Sequence, residues 1–299
     1  VIQPTHLALI LFVVLSWGLS FVVIRVGLHG VPPLLLAALR FLFAAFPVML
    51  ILPRPKVDWR ALAGYGIATG VIQFGLLFVA MRVGISAGLA SLVIQTQVFF
   101  TVLLSSLLFG ERMGSHQWSG LVVAFLGIGL IAASSDASAT IPALLMTLGA
   151  ALGWAAANLI VRYISSRPQP EPINMLAFVV HSSLYATVPL FVLAFVLDGP
   201  QPVLDAVTRF SLVSAGSVAF LALVATVACF GAWAWLIGRY GAARIAPFAL
   251  LVPVSGMVSS AFLLQESFAP LKLLAAGLVV LGLLINVFGA RWLAARRLA

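Results

Sequence analysis

Trp17 and Arg25 stand in a W-x7-R spacing that returns in the second half of the chain as Trp154 and Arg162. On a helix Trp17, Phe21 and Arg25 follow i, i+4, i+8 and share one face, and so do Trp154, Asn158 and Arg162. An indole brings a broad apolar surface, one N–H donor and a π face that attracts cations. Two indoles meeting across a cavity therefore suit a ligand that carries both a charge and an apolar side chain. The competing roles are an interfacial belt and plain helix packing. Both tryptophans lie near the middle of their apolar runs, which weakens the belt role.

The other candidates are the few polar groups inside apolar runs. Gln73, Gln95, Gln97, Asn158, Asn174 and His181 need hydrogen-bond partners in hydrocarbon, so each faces other helices or a wet cavity. Gln73 lies one turn after Thr69 and one before Leu77, which gives that helix face both polar and apolar character. The expected substrate contacts are therefore Trp17, Phe21, Gln73, Leu77, Gln95, Gln97, Trp154, Asn158 and His181, with helix–helix hydrogen bonding as the alternative for each amide. His181 reads first as a neutral hydrogen-bonded histidine and second as a proton carrier. Arg40, in "AALRFLF", is the one charge deep inside a run. It is expected to be structural, snorkelling outward or pairing with carbonyl groups or Glu266, with substrate contact as the alternative. Glu111 and Glu266 each precede the last helix of a half, where a carboxylate favours a helix N-terminus. Gly70, Gly88 and Pro253 are expected hinges. Closely spaced glycines such as Gly66/Gly70, Gly84/Gly88 and Gly149/Gly153 also let helices approach.

Enzyme chemistry finds no support. "GISAG" at Gly84 matches the nucleophile-elbow pattern, but it sits at a turn between two apolar helices, and no acid is placed to orient a histidine. H-E-x-x-H, Walker and dinucleotide glycine motifs are missing, and Cys229 is the single cysteine, so neither a metal nor a cofactor is expected.

The elements that must position these residues follow from composition. Hydrophobic residues make up 63% of the 299-residue chain and charged residues 8%, against about a quarter charged in soluble domains. Apolar runs long enough to cross about 30 Å of hydrocarbon recur throughout. Ten spans are expected, at 6–27, 32–52, 61–82, 86–109, 117–134, 141–163, 173–197, 210–238, 244–264 and 270–290, with an interfacial piece around 203–213. The first is too long for a signal-peptide h-region and lacks an A-x-A site. The net charge of +9 lies mostly in loops, and no basic run interleaved with aromatics points to nucleic acid. With the N-terminus inside, Arg54, Lys56, Arg60, Arg112, Arg162, Arg167, Arg239, Arg244, Arg291, Arg296 and Arg297 are cytoplasmic, and only Arg25, Arg82, Arg209 and Lys272 are outside. That asymmetry places both termini in the cytoplasm.

Further echoes keep the order of the tryptophan echo. "FGERM" matches "LQESF", "MRVG" resembles "GRYG", and Glu111 to Gly127 has the spacing of Glu266 to Gly282. The unit is five spans, 1–135 and then 136–299. Five is odd, so the second copy enters the membrane from the opposite side, giving an all-α protein of ten spans in two inverted repeats around a central cavity.

The stretches "WGLSFVVIRVGL", "PPLLLAALRF", "GLASLVIQTQVFFTVLLSSLLFGERM", "GRYGAARIAPFALLVPVSGMVSSAFLLQES" and "GLLINVFG" resemble the EamA-type exporters of the drug/metabolite transporter superfamily over nearly the whole chain. The resemblance implies a bacterial inner-membrane exporter of amino acids and relatives such as cysteine and O-acetylserine, working by alternating access as a monomer among membrane lipid. One departure is that the second half has Pro253 where the first has Gln95 and Gln97, so the half-sites are expected to be chemically unequal. A cationic-drug exporter of the same superfamily would want a mid-membrane carboxylate, and none of the seven acids is mid-span. A channel would need a continuous polar ring, which the scattered amides do not form.

Overall fold

The computed structural model describes residues 2–110, 113–133, 139–167 and 172–298, the side chains of 242, 243, 246 and 290–298 excepted. Among the described residues nine helices are long and apolar enough to cross a membrane. They are span 1 (Pro4–Gly27), span 2 (Pro33–Leu50), span 3 (Trp59–Val83), span 4 (Ala87–Phe109), span 5 (Ser115–Ala133), span 6 (Ile141–Ser165), span 7 (Met175–Asp198), span 8 (Leu212–Tyr240) and span 10 (Pro270–Gly289). Span 9 is the shorter apolar helix Pro247–Leu263. The starts follow local chemistry. Proline opens spans 1 and 2 where its missing N–H costs nothing. Asp58, Ser86, Thr140, Asn174 and Ser211 cap spans 3, 4, 6, 7 and 8 through their side chains. Asn174, which the sequence places within span 7, is thus its cap.

Two expected elements differ. The ninth span is not one helix over 244–264. It runs as Ala242–Ile245, a 3-10 stretch Ala246–Leu250 and the α-helix Leu251–Leu263, because Pro247 and Pro253 cannot donate to a continuous ladder. The interfacial piece is a separate helix, Pro200–Thr208, cut off from span 7 by Gly199 at φ +94°.

Irregular turns recur in matched spans. Span 3 is π-helical over Ile67–Gly75 and span 8 over Phe220–Ala228, nine residues in each case. Span 4 has a 3-10 break at Ile94–Thr96, the counterpart of the break in span 9. The packing repeats under the same exchange of span n with span n+5. Span 1 packs on spans 8 and 9 as span 6 packs on spans 3 and 4, and spans 2–8 match spans 7–3. Pairs 2–7, 4–9 and 5–10 map onto themselves. Two five-span repeats thus wrap each other about a pseudo-twofold, with spans 5 and 10 as an outer pair. That pair meets at Gly120, Gly127 and Gly282, where a Cβ would fall within 2.6 Å of facing backbone oxygens. Without a hydrophobic drive between helices in lipid, such backbone approach is what binds them.

Candidate functional site

Near the middle of spans 2, 3, 6, 7 and 8 the side chains leave a narrow cavity of about 20 Å³. Arg40, Tyr65, Thr69, Gln73, Ser183 and Thr226 give it a polar wall, and Phe41, Phe74, Trp154, Val179 and Phe230 an apolar one. That volume holds a water molecule and not an amino acid. Arg40 is 2% exposed. Its guanidinium lies 3.7 Å from the centre of the Phe74 ring, and its Nε donates to Thr226 Oγ1 at 3.2 Å. Its Nη1 is buried with no hydrogen-bond partner.

The walls are shaped by the π-helical stretches. Thr69 Oγ1 donates to the Tyr65 carbonyl at 2.7 Å and Thr226 Oγ1 to the Leu221 carbonyl at 2.8 Å. Superposing the two stretches, Ile67 on Phe220, puts Thr226 where the first repeat has Gln73. π turns widen a helix and rotate the following side chains, and they cluster at functional sites.

Trp17 stands just behind this wall. Its ring packs on Phe230 and Trp233, with centroids 5.4 and 5.2 Å away. Its Nε1 donates to the Ala225 carbonyl at 2.9 Å, inside the π stretch of span 8. Trp154 lines the cavity directly, and Phe230 joins the two indole regions.

The amides divide into two other groups. Gln97 Oε1 accepts from Asn158 Nδ2 at 2.9 Å, and Asn158 also donates to Thr101 Oγ1 at 3.2 Å. One turn further along, Arg162 bonds Ser105 and lies over the Phe109 ring at 4.7 Å. These residues form a polar ladder between spans 4 and 6. Gln95 lies between the two broken spans. Pro253 has no N–H to offer the carbonyl of Ala249, and Gln95 Nε2 donates to that carbonyl at 3.3 Å. The break in one repeat is completed by an amide from the other. Gln95 Oε1 stays buried without a partner.

Several expected residues sit elsewhere. Leu77 is 1% exposed in the apolar core, and Phe21 is buried in span 1. His181 Nδ1 donates to the Ala177 carbonyl of its own helix at 2.9 Å. Gly70 is wedged against Ala186, where a Cβ would fall 2.2 Å from the alanine methyl. Gly88 faces Phe268 and Ser260 at 2.5 and 2.6 Å on the same measure. Two expected pairings need correcting. Glu266 does not meet Arg40 or begin span 10 as its cap. Its carboxylate accepts from the amides of Ala87 and Gly88 at 2.8 and 3.1 Å, so it caps span 4 of the other repeat. Arg40 accordingly has an aromatic ring and a hydroxyl for neighbours. Asp198 makes a matching contact, accepting from the Leu34 amide at the start of span 2 at 3.0 Å. Orphan N–H groups at a helix start attract carboxylates, whichever chain segment brings them. Glu111 lies outside the described residues.

Sequence reasoning missed Tyr65, Phe74, Ser183, Thr226 and Phe230, and had Thr69 only as the polar neighbour of Gln73 on its helix face. Thr and Phe are too common in apolar spans to stand out. The trace that would have found Thr226 is its place opposite Gln73 in the repeat.

Comparison with known proteins agrees with this architecture. The EamA-like transporter family matches twice, over residues 5–133 and 141–288. A "Probable amino-acid metabolite efflux pump" of Escherichia coli (strain K12) is 42% identical over 286 residues, 95% of each chain. Its namesake in Salmonella typhimurium is 42% identical over 285 residues, again 95% of each. A "Probable terminal-alkyne amino-acid exporter" of Streptantibioticus cattleyicolor is 27% identical over 93% of this chain and 91% of its own. A solved crystal structure superposes with a TM-score of 0.61 at 19% identity, covering 98% of this chain and 99% of that one, which is a likeness of fold. With two matched segments over almost its whole length and, among the described residues, nine membrane-length apolar helices and a shorter tenth, this multi-pass membrane protein belongs to the EamA-like transporter family.

Proposed function

We propose that this protein exports amino acids and related small metabolites across the bacterial inner membrane, by alternating access between repeats spanning 1–135 and 136–299. The observation that carries the reading is 42% identity, over 95% of both chains, to the two enterobacterial relatives named as probable amino-acid metabolite efflux pumps. The mid-span chemistry supports it. A cation beside aromatic rings and hydroxyls suits a zwitterion with an apolar side chain, and both repeats contribute to the walls. The substrate contacts are Trp17 and Trp154 with Gln73, Gln95, Gln97 and Asn158 along the route between the repeats. Both termini are cytoplasmic, on the excess of basic residues in the loops of that side. Surface labelling in intact cells tests this: the loop of residues 53–60 reacts only after the membrane is permeabilised. The protein works as a monomer with no cofactor. No acid sits mid-span to carry a proton, so transport runs down the substrate gradient.

The test is flux through liposomes containing purified protein, with a panel of labelled amino acids and with the pH gradient present or collapsed. Saturable flux that persists without the pH gradient is expected. Flux of none of the amino acids would sink the proposal, and an absolute need for the pH gradient would replace its mechanism.

A further inference from the structure

We propose that Arg40 is the receptor for the substrate's carboxylate, so that the transported class is defined by a free carboxylate group. The inference rests on the export reading above and deepens it. A guanidinium in the middle of a bundle carries a desolvation cost that is tolerated only against a partner or a function. Arg40 has only part of such compensation. The Phe74 face offsets some of the charge, and Thr226 takes the Nε hydrogen. Nη1, pointing from a residue that is 2% exposed, has no partner.

The rest of the wall cannot stand in for an anion. Among the described residues no Asp or Glu lines the cavity. The hydroxyl protons of Thr69, Ser183 and Thr226 are already given to the carbonyls of Tyr65, Val179 and Leu221. Of the donors on this wall, Arg40 Nη1 is the charged one, buried without a partner beside the Gln73 amide and the Tyr65 hydroxyl, and the chemistry that fits a spare N–H of a guanidinium is an oxyanion. The hydroxyl oxygens and the π face of Trp154 on the same cavity favour an ammonium group close by. In the conformation described here the cavity admits only a small group. A whole amino acid enters when the helices around it part, with its carboxylate seated on Arg40.

The experiment is competition for exchange of labelled L-threonine, L-cysteine and L-phenylalanine in liposomes, using each free acid, its amide and its decarboxylated amine. In the wild type the amides and amines are expected to compete at least about 10-fold less well than the acids. Arg40→Gln is expected to lose that preference and to raise the half-saturation concentration by about 10- to 150-fold. Arg40→Lys, which keeps the charge without the fork, falls between. Thermal unfolding in detergent separates binding from architecture. Arg40→Met is expected to unfold no lower than the wild type without ligand, since an apolar residue replaces an uncompensated charge. Propionate is expected to raise the unfolding temperature of the wild type but not of Arg40→Met, with equal chloride as the control. Equal competition by acid, amide and amine overturns the proposal. So does an acid preference retained in Arg40→Gln, or an Arg40→Met protein that unfolds far below wild type. If none of the three amino acids is exchanged, the amino-acid export reading fails, and the propionate arm still decides: stabilisation that needs Arg40 supports the carboxylate receptor, and its absence overturns it.

Discussion

Spans 4 and 9 occupy equivalent places and are broken at equivalent heights, yet different chemistry breaks them. In span 9 the cause is covalent. Pro247 and Pro253 remove two donors, and the helix tightens to 3-10 geometry over Ala246–Leu250. Span 4 has no proline, and there hydroxyls compete with the backbone. Thr96 Oγ1 donates to the Val93 carbonyl at 2.8 Å and Ser91 Oγ to the Gly88 carbonyl at 2.7 Å, which favours i−3 over i−4 bonding. Pro253 takes the i+4 donor away from the Ala249 carbonyl, and Gln95 from the other break supplies a side-chain one. Two defects that would each be costly in hydrocarbon become one interhelical contact. An exact repeat would have two carbonyls short of the proline's donor and no amide to supply it, or two amides and no such carbonyl. The inequality between the repeats is what lets them fit.

The largest effect is expected from blocking the crossing beside the two breaks. A Cβ on Gly256 would lie 2.4 Å from Ser91 Oγ, and one on Gly18 would lie 2.3 Å from Ser255 Oγ. Gly256→Val is expected to cost about 3 kcal/mol, the upper end for overpacking, read as lost folded yield and a lower unfolding temperature. A normal unfolding temperature would show that spans 1, 4 and 9 are free to move apart.

Next in size, Trp17→Ala and Trp154→Ala are each expected to weaken transport affinity by roughly five- to 150-fold, from the loss of about 1–3 kcal/mol of packing and cation–π attraction. Trp118, half exposed at the start of span 5, is the control and tolerates alanine. Normal kinetics for both variants would assign the repeated tryptophans to packing alone.

Gln95→Leu is expected to lower stability by about 1.5 kcal/mol, because it removes the side-chain donor to the Ala249 carbonyl. The comparison is sharpest in a double-mutant cycle. Pro253→Ala returns an N–H to the position that can serve that carbonyl, so it should recover stability in the Gln95→Leu background by about 1 kcal/mol more than in the wild type. Additive effects would mean that the two breaks are independent.

The smallest effect belongs to Trp17→Phe. It keeps the contact with Phe230 and loses the hydrogen bond to Ala225, a cost of about 1 kcal/mol in thermal unfolding.

Much of this protein is written along the chain itself. Runs of apolar residues of bilayer length identify spans because hydrocarbon leaves the backbone no other partner than its own helix. Span number, the five-span unit and the tryptophan echo are local or periodic properties, and they were legible in the residues. So was the chemical inequality between Pro253 and the glutamines of the first repeat. The partners of the polar groups were not legible. Arg40 meets Thr226, Gln95 meets Ala249 and Glu266 meets the amides of Ala87 and Gly88, each across more than a hundred positions and between repeats. In an apolar span every face is hydrophobic, so periodicity does not say which side of Gln73 or His181 is buried against which neighbour. Only the packing of the two repeats decides that, because the wall of the cavity exists only where side chains from spans 2, 3, 6, 7 and 8 converge.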